Sequence, residues 1–441
     1  MRRNWMITAV LFLMTGTLSA QTVNDTITLS LDQALQIAMD ENPTIKVADQ
    51  EITLSKVARK ESWQHLLPEA TFNSRLDHTL QAAEMKLNGM KFKMGEDGTN
   101  SLTAAVSINL PLYAPGVYKA MSISKTDIAL ALEKSRGTRI DLVNQVTKAY
   151  FQLLLAQDAY EVLQESYRVA EENYNVVCAK FDQGKVSEFD KISAGVQLRS
   201  IRPQLVSSAN AISLAELQFR VLLGVEEVHI RLDDELRNYE KVISVAHLEK
   251  TDYDLENNTL LKQLNLNLEK LEKNIQMQRT SLLPTLGLSW SYQYQSIYNK
   301  DINIFGYDWA GSSSLLFNLS IPIYKASNFT KMKTARLQRQ QLEWNRQDTE
   351  RKLNMEIQSY RNNMSASMEQ LASNRENIKQ AERAVTIANK RYEVGRGTVL
   401  ELNNSQVSLT QAQLVYSQSI YDYLVAKADL DKAMGKETKL K

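Results

Sequence analysis

The chain has 441 residues, room for two or three ordinary domains, and 43% of them are hydrophobic, which supports a sizeable core and makes disorder not the default reading. Lys+Arg number 52 against 51 Asp+Glu, so no global basic footprint points to nucleic acid. The one cysteine, Cys178, excludes an internal disulfide.

At the N-terminus, Arg2 and Arg3 precede an apolar run from Trp5 to Met14, and small and polar residues lead to Leu18-Ser19-Ala20. This is the pattern of a secretory signal peptide, residues 1–20, and no cysteine follows the cut to carry a lipid anchor. Beyond it no stretch reaches the ~20 consecutive apolar residues of a membrane-spanning helix. Transmembrane β-strands remain open, because each needs only about 9–11 alternating residues.

Ser30 followed by Gln33 reads as a capping box opening a helix, and Asn42-Pro43 closes it. A second helix runs to Pro68. Two segments of period two follow at about 69–78 and 101–112: Ala70, Phe72 and Leu76 oppose Thr71, Asn73 and Arg75, and Leu102, Val106 and Ile108 oppose Thr103, Ser107 and Asn109. Long helical stretches are predicted over 117–181 and 186–223, with a glycine turn between them at Gly184 and an expected kink or break at Pro203.

The same order then recurs. Strands are predicted at 285–295, where Leu286, Leu288, Trp290, Tyr292 and Tyr294 oppose Gly287, Ser289, Ser291, Gln293 and Gln295, and at 313–323. Helices follow over 328–392 and 398–434 around Gly395. Three pairs of segments lie at one common spacing: Leu110-Pro111-Leu112-Tyr113 with Ile321-Pro322-Ile323-Tyr324, Lys180-Phe181-Asp182-Gln183-Gly184 with Arg391-Tyr392-Glu393-Val394-Gly395, and Leu223-Gly224 with Met434-Gly435. The chain therefore reads as two structural repeats, 21–240 and 241–441.

Four amphipathic strands cannot enclose a lumen, and open sheet edges cannot stand in lipid, so oligomerisation is expected; three copies would supply twelve strands. The longest helices would reach roughly 100 Å at 1.5 Å per residue, the length of a tube rather than of a globular domain. In the last one, Leu409, Tyr416, Tyr423 and Leu430 run beside Val407, Leu414, Tyr421 and Ala428, two heptad seams that ask for a neighbour on each side.

Leu29-Ser30-Leu31-Asp32-Gln33-Ala34-Leu35, Leu282-Leu283-Pro284-Thr285-Leu286, Leu319-Ser320-Ile321-Pro322-Ile323-Tyr324 and Arg391-Tyr392-Glu393-Val394-Gly395 together resemble the outer-membrane efflux protein family of TolC-like channels. The resemblance covers nearly the whole mature chain, in order and in both halves. It implies an α+β membrane protein: a homotrimer with a 12-stranded β-barrel in outer-membrane lipid, a long 12-helix α-barrel across the periplasm, and a mixed α/β equatorial belt. The segment 225–254 and the short opening helices could supply that belt.

Such a chain would be a passive exit duct of a tripartite efflux or type I secretion system, coupled to a periplasmic adaptor (membrane fusion) protein and an inner-membrane transporter. The resemblance further implies that the glycine turns are the adaptor-docking tips, built from Lys180, Phe181, Gly184, Lys185, Arg391, Tyr392, Gly395 and Arg396. It also places a pore constriction at Asp190 and Glu401, with Asn404 standing where some relatives carry a second acid. One departure is Lys325-Ala326-Ser327, where a glycine pair is common.

No catalytic constellation is read. His65, His78, His229 and His247 are scattered without metal-ligand spacing, and there is no phosphate-binding loop or nucleophile elbow, so no cofactor is expected. The rival reading is an exported, soluble coiled-coil structural protein whose strands form a small sheet.

Overall fold

The computed structural model describes residues 26–436 except 88, 227–228, 242, 244–254 and 302. The signal peptide and most of the segment expected to open the second repeat lie outside the described residues, and 225–254 is described only in part.

Ser30 starts the first helix, α1 (Leu31–Glu41), by a reciprocal capping box: its hydroxyl accepts from the Gln33 N–H, and the Gln33 side chain accepts from the Ser30 N–H at 3.0 Å. Asn42 ends α1 and caps α2 (Pro43–Gln64), whose first-turn proline needs no N–H. After strands β2 (Glu69–Thr79), β3 (Ala83–Leu87), β4 (Met90–Met94) and β5 (Thr99–Tyr113) come α3 (Pro115–Asp182, 68 residues) and α4 (Glu188–Leu223). The second half holds α5 (Thr259–Thr280), β7 (Thr285–Asn299), β8 (Ala310–Ser320), α6 (Ala326–Glu393, 68 residues) and α7 (Val399–Ala433).

Two features correct the sequence reading. Pro203 does not break α4, which runs through it, with Ile201 and Ser208 buried against the neighbouring structure; packing absorbs the lost hydrogen bond. The fourth strand ends at Ser320, not 323: its partner β7 begins at Thr285, opposite Ser320, and Pro322 has no N–H to extend a ladder. Pro111, the counterpart of Pro322, stays inside β5, next to a register shift between Pro111 and Tyr113.

The helices form four rods side by side. α3 packs on α2 and α5 along one part of its length and on α4 and α7 along another, while α6 packs on α5 and α7. Two of the rods are spliced from two helices each. Asn42, at the start of α2, donates its side-chain amide to the Leu222 carbonyl at the end of α4 at 2.7 Å; Asn258, at the start of α5, donates to the Ala433 carbonyl at the end of α7, also at 2.7 Å. The rod order is thus α4/α2, α3, α7/α5, α6, with α4/α2 and α6 at the two edges.

The main core lies at the waist, where α1 and the splice meet a parallel pair, β1 (Thr26–Leu29) with β6 (His229–Leu232), that the sequence reading does not foresee. Tyr150, Phe151 and Phe219 are fully buried there and meet edge to face, with centroids 5.7 and 6.0 Å apart. Each such phenylalanine contributes roughly 1.5–3 kcal/mol by burial.

Candidate functional site

Strands β2, β5, β7 and β8 form one antiparallel sheet in the order β2-β5-β7-β8. The register carries Ala70, Ile108, Trp290 and Leu315 across all four strands on one face, and Asn73, Ala105, Gln293 and Ser312 on the other. The apolar face is bare: Phe72 is 69% and Phe317 65% exposed, and Trp290, Tyr292 and Tyr294 are exposed as well.

From Ser289 to Gln295 along β7 the polar side chains Ser289, Ser291, Gln293 and Gln295 are half-buried while Trp290, Tyr292 and Tyr294 between them are exposed, the arrangement of a sheet curled around its polar face. The polar face is also hydrogen-bonded. Thr71 meets Ser107 at 2.9 Å, Ser289 donates to Asn109 at 2.7 Å, and Ser291 meets Ser314 at 2.9 Å. This inverts a water-soluble sheet, which hides its apolar face and wets the polar one. Among the described residues, β2 and β8 each keep one edge without a partner strand.

At the far end of the rods, the two glycine turns are built alike. Gly184 (φ 69°) and Gly395 (φ 72°) sit just past the ends of α3 and α6. The Lys185 N–H returns to the Lys180 carbonyl at 2.9 Å and the Arg396 N–H to the Arg391 carbonyl at 2.8 Å. With the bonds from Gly184 to Phe181 and from Gly395 to Tyr392, both turns are Schellman closures, which require the left-handed glycine.

The tip residues separate into two groups. Lys185, Arg391 and Arg396 are exposed beside the glycines. Tyr392 is only 8% exposed, packed with Val177, Ala194, Val399 and Leu402. The Lys180 ammonium lies 4.1 Å from the Tyr392 ring centroid, tying one hairpin to the other, and the Lys191 ammonium stands 4.6 Å over half-buried Phe181. Burial, aided by the charge of Asp190, raises the Tyr392 hydroxyl above its ordinary pKa.

The three constriction candidates lie just past the turns. Asp190 is the third residue of a capping box whose Ser187 N–H it accepts at 3.1 Å, and Thr398 caps α7 by accepting the Glu401 N–H at 3.1 Å. Glu401 is 3.5 Å from Arg391, a half-exposed pair of little energetic weight. Asn404 is exposed one turn further on. Asp190 and Glu401 belong to different hairpins, and among the described residues no hydrogen bond or ion pair joins them.

No group of metal-ligating side chains occurs among the described residues. Sequence reasoning misses the two splices, although Asn42-Pro43 and the Gly224/Gly435 pair are their signals, and the β3–β4 hairpin, which the Asn88-Gly89 dipeptide signals.

A family model described as Outer membrane efflux protein matches residues 34–225 and 253–436. Outer membrane protein TolC of Vibrio cholerae serotype O1 is 22% identical over 338 residues, covering 76% of each chain. Cobalt-zinc-cadmium resistance protein CzcC of Cupriavidus metallidurans is 19% identical and covers 81% of this chain and 83% of its own. Among solved structures, a crystal structure of CusC superposes with a TM-score of 0.75 at 15% identity, covering 93% of both chains, which shows a shared fold.

Proposed function

The chain belongs to the outer membrane efflux protein family, and on that premise we propose that three copies assemble into the outer-membrane exit duct of a tripartite export system. It is an outer-membrane protein whose helical part extends into the periplasm.

The observation that carries this reading is the four-stranded sheet, with its exposed apolar face, its hydrogen-bonded polar face and its two unpaired edges. Each unpaired N–H or C=O in hydrocarbon costs several kcal/mol, so β8 of one copy must pair with β2 of the next until the sheet closes. Strand direction alternates along the sheet, so that pairing is antiparallel. Three copies give an even barrel of twelve strands with lipid outside and water inside.

Four rods per chain continue the barrel as twelve helices. The edge rods carry the exposed apolar side chains such closure would cover, Ile192, Val196 and Val206 on α4 and Leu337, Trp344 and Met355 on α6. The waist core supplies the belt.

Inside a duct of this kind the protein's chemistry is that of a wall. The inner-membrane transporter supplies the energy and the periplasmic adaptor seats on the exposed cations of the tips, Lys185, Arg391 and Arg396. Tyr392, under the Lys180 ammonium, holds the two hairpins in register, and Phe181 packs beneath Lys191 within its own. Asp190, Glu401 and Asn404, repeated by the threefold axis, form the narrow ring that screens cargo by charge.

The test is to extract the protein from isolated outer membranes and measure its native mass and its conductance in planar bilayers. A threefold mass with ion conductance supports the duct; a monomer that leaves the cell envelope in salt washes refutes it.

A further inference from the structure

At the outer end of the sheet, two apolar features are exposed without a packing partner among the described residues. The first is the β3–β4 hairpin between β2 and β5. Its register pairs Ala83 with Met94, Met85 with Phe92 and Leu87 with Met90, so Met85, Met90 and Met94 share one face, while Glu84, Lys86, Lys91 and Lys93 share the other. Met85, Met90 and Met94 are 53%, 65% and 61% exposed. The base of the hairpin is fixed: the Ala82 N–H donates to Asp97 at 2.7 Å, Lys93 bonds the same carboxylate, and Lys300 reaches Glu96 at 2.7 Å.

The second feature is the short 3-10 turn Ile304–Gly306 between β7 and β8. Phe305 is 94% and Ile304 43% exposed. Their support is rigid, since the Tyr307 hydroxyl donates to the Asp301 carbonyl at 2.5 Å and Trp309 stacks on Tyr294 at 5.2 Å. Ile304 and Phe305 thus present a small apolar patch on a fixed turn.

The hairpin follows β2 and the turn precedes β8, the two edge strands, at the same end of the sheet. We infer that the methionine face of one copy receives Ile304 and Phe305 of the next copy, clasping each barrel seam on the outside of the cell. This rests on the trimeric closure proposed above and adds to it a contact beyond the membrane.

At the margins of the contact, exposed Asp301 and Asp308 flank the turn, and Lys86 and Lys91 project from the hairpin face opposite the methionines. Lipid is the poorer occupant. The polar rim of Asp77, His78 and Thr79, with His78 hydrogen-bonded to Asn100 at 2.9 Å, stands between the apolar band of the sheet and the hairpin. Methionine suits a contact that must accommodate a neighbouring ring.

The test places one cysteine on each of two co-expressed full-length chains, both carrying Cys178→Ser. One chain carries Met85→Cys, Met90→Cys or Met94→Cys, and the other Phe305→Cys. Mild oxidation of isolated outer membranes should yield a disulfide-linked dimer for at least one pair, and none when either chain is expressed alone. Trimers of normal native mass that give no dimer with any pair overturn the clasp and leave the duct standing; a native chain that forms no trimer in the outer membrane overturns both. A bimane label on the Met90→Cys chain that brominated lipid quenches would assign the face to the membrane, and a water-exposed label without cross-linking would leave it to a foreign protein. Either result also overturns the inference.

Discussion

Gly435 lies so close to Asn257 that a Cβ added there would stand 2.1 Å from the Asn257 carbonyl oxygen. The same approach occurs at the first splice, where a Cβ on Gly224 would stand 3.0 Å from the Glu41 carbonyl. Both glycines have positive φ, 66° and 74°. Two helices are thus abutted end to end with no room for a side chain.

Gly435→Ala should therefore cost more than Gly224→Ala. Each bears about 1–2 kcal/mol of left-handed strain, and the closer one adds the backbone displacement of an overpacked site, roughly 1–3 kcal/mol. Gly184→Ala, with positive φ but nothing within 4 Å of its new Cβ, should show the strain alone. Unfolding midpoints in detergent rank the three; equal effects would mean that the splices are not tight.

The asparagines at the splices predict a second ranking. Asn258 accepts the Leu261 N–H at 3.0 Å while donating to Ala433, and Asn42 accepts the Thr44 N–H at 2.8 Å while donating to Leu222. Alanine at either removes a cap, about 1 kcal/mol, and strands a carbonyl in a buried place, about 1–3 kcal/mol. Ser187→Ala, at an exposed tip, should lose only the cap. A chemical denaturation series decides it.

On the sheet, Leu288→Arg or Phe317→Arg should block membrane assembly, since a charge near the bilayer midplane costs roughly 2–4 kcal/mol. Ser312→Lys, on the polar face, should insert normally. Trimer yield in outer-membrane fractions is the measurement, and equal tolerance on both faces would sink the lipid-facing assignment.

Asp431 gives a pH prediction. Burial raises its carboxyl above the ordinary value, against the pull of Lys427 and Lys436. The folded state then holds the proton to higher pH than the unfolded one, so stability falls as pH climbs from the unfolded pKa, about 3.9, through the raised one. Asp431→Asn should raise the unfolding midpoint at pH 7, and the gain should vanish below about pH 4. A gain independent of pH would contradict the sign.

What is legible in the sequence is what repeats with a simple period. Alternation places Leu286 to Tyr294 on a strand, because pleated side chains must switch faces. Glycine at 184 and 395 marks where long helices reverse, because only a positive φ closes the turn. The Ser30 capping box is readable for the same local reason.

What cannot be read is set by distance along the chain. Nothing near Asn258 announces the Ala433 carbonyl, and nothing near Leu29 announces Leu232, its parallel partner in the waist. Proline misleads in both directions: Pro203 signals a break that packing overrides, and Pro322 falls in an alternating run whose strand has already ended. At the tips, the ring of Tyr392 looks available in sequence, while the fold spends it in the interior beneath Lys180.

The claim at the centre is that the chain is a duct seated on a partner through its glycine turns. The measurement is cargo or dye export by living cells that make Gly184→Asp or Gly395→Asp chains, read beside the amount of trimer in their outer membranes and its cross-linking to the periplasmic adaptor. Export and adaptor cross-linking should collapse while trimer yield stays near normal, and Gln347→Asp, on a helix away from the tips, should change none of the three. Export that persists in the glycine variants, or that falls only in proportion to trimer, would contradict the account.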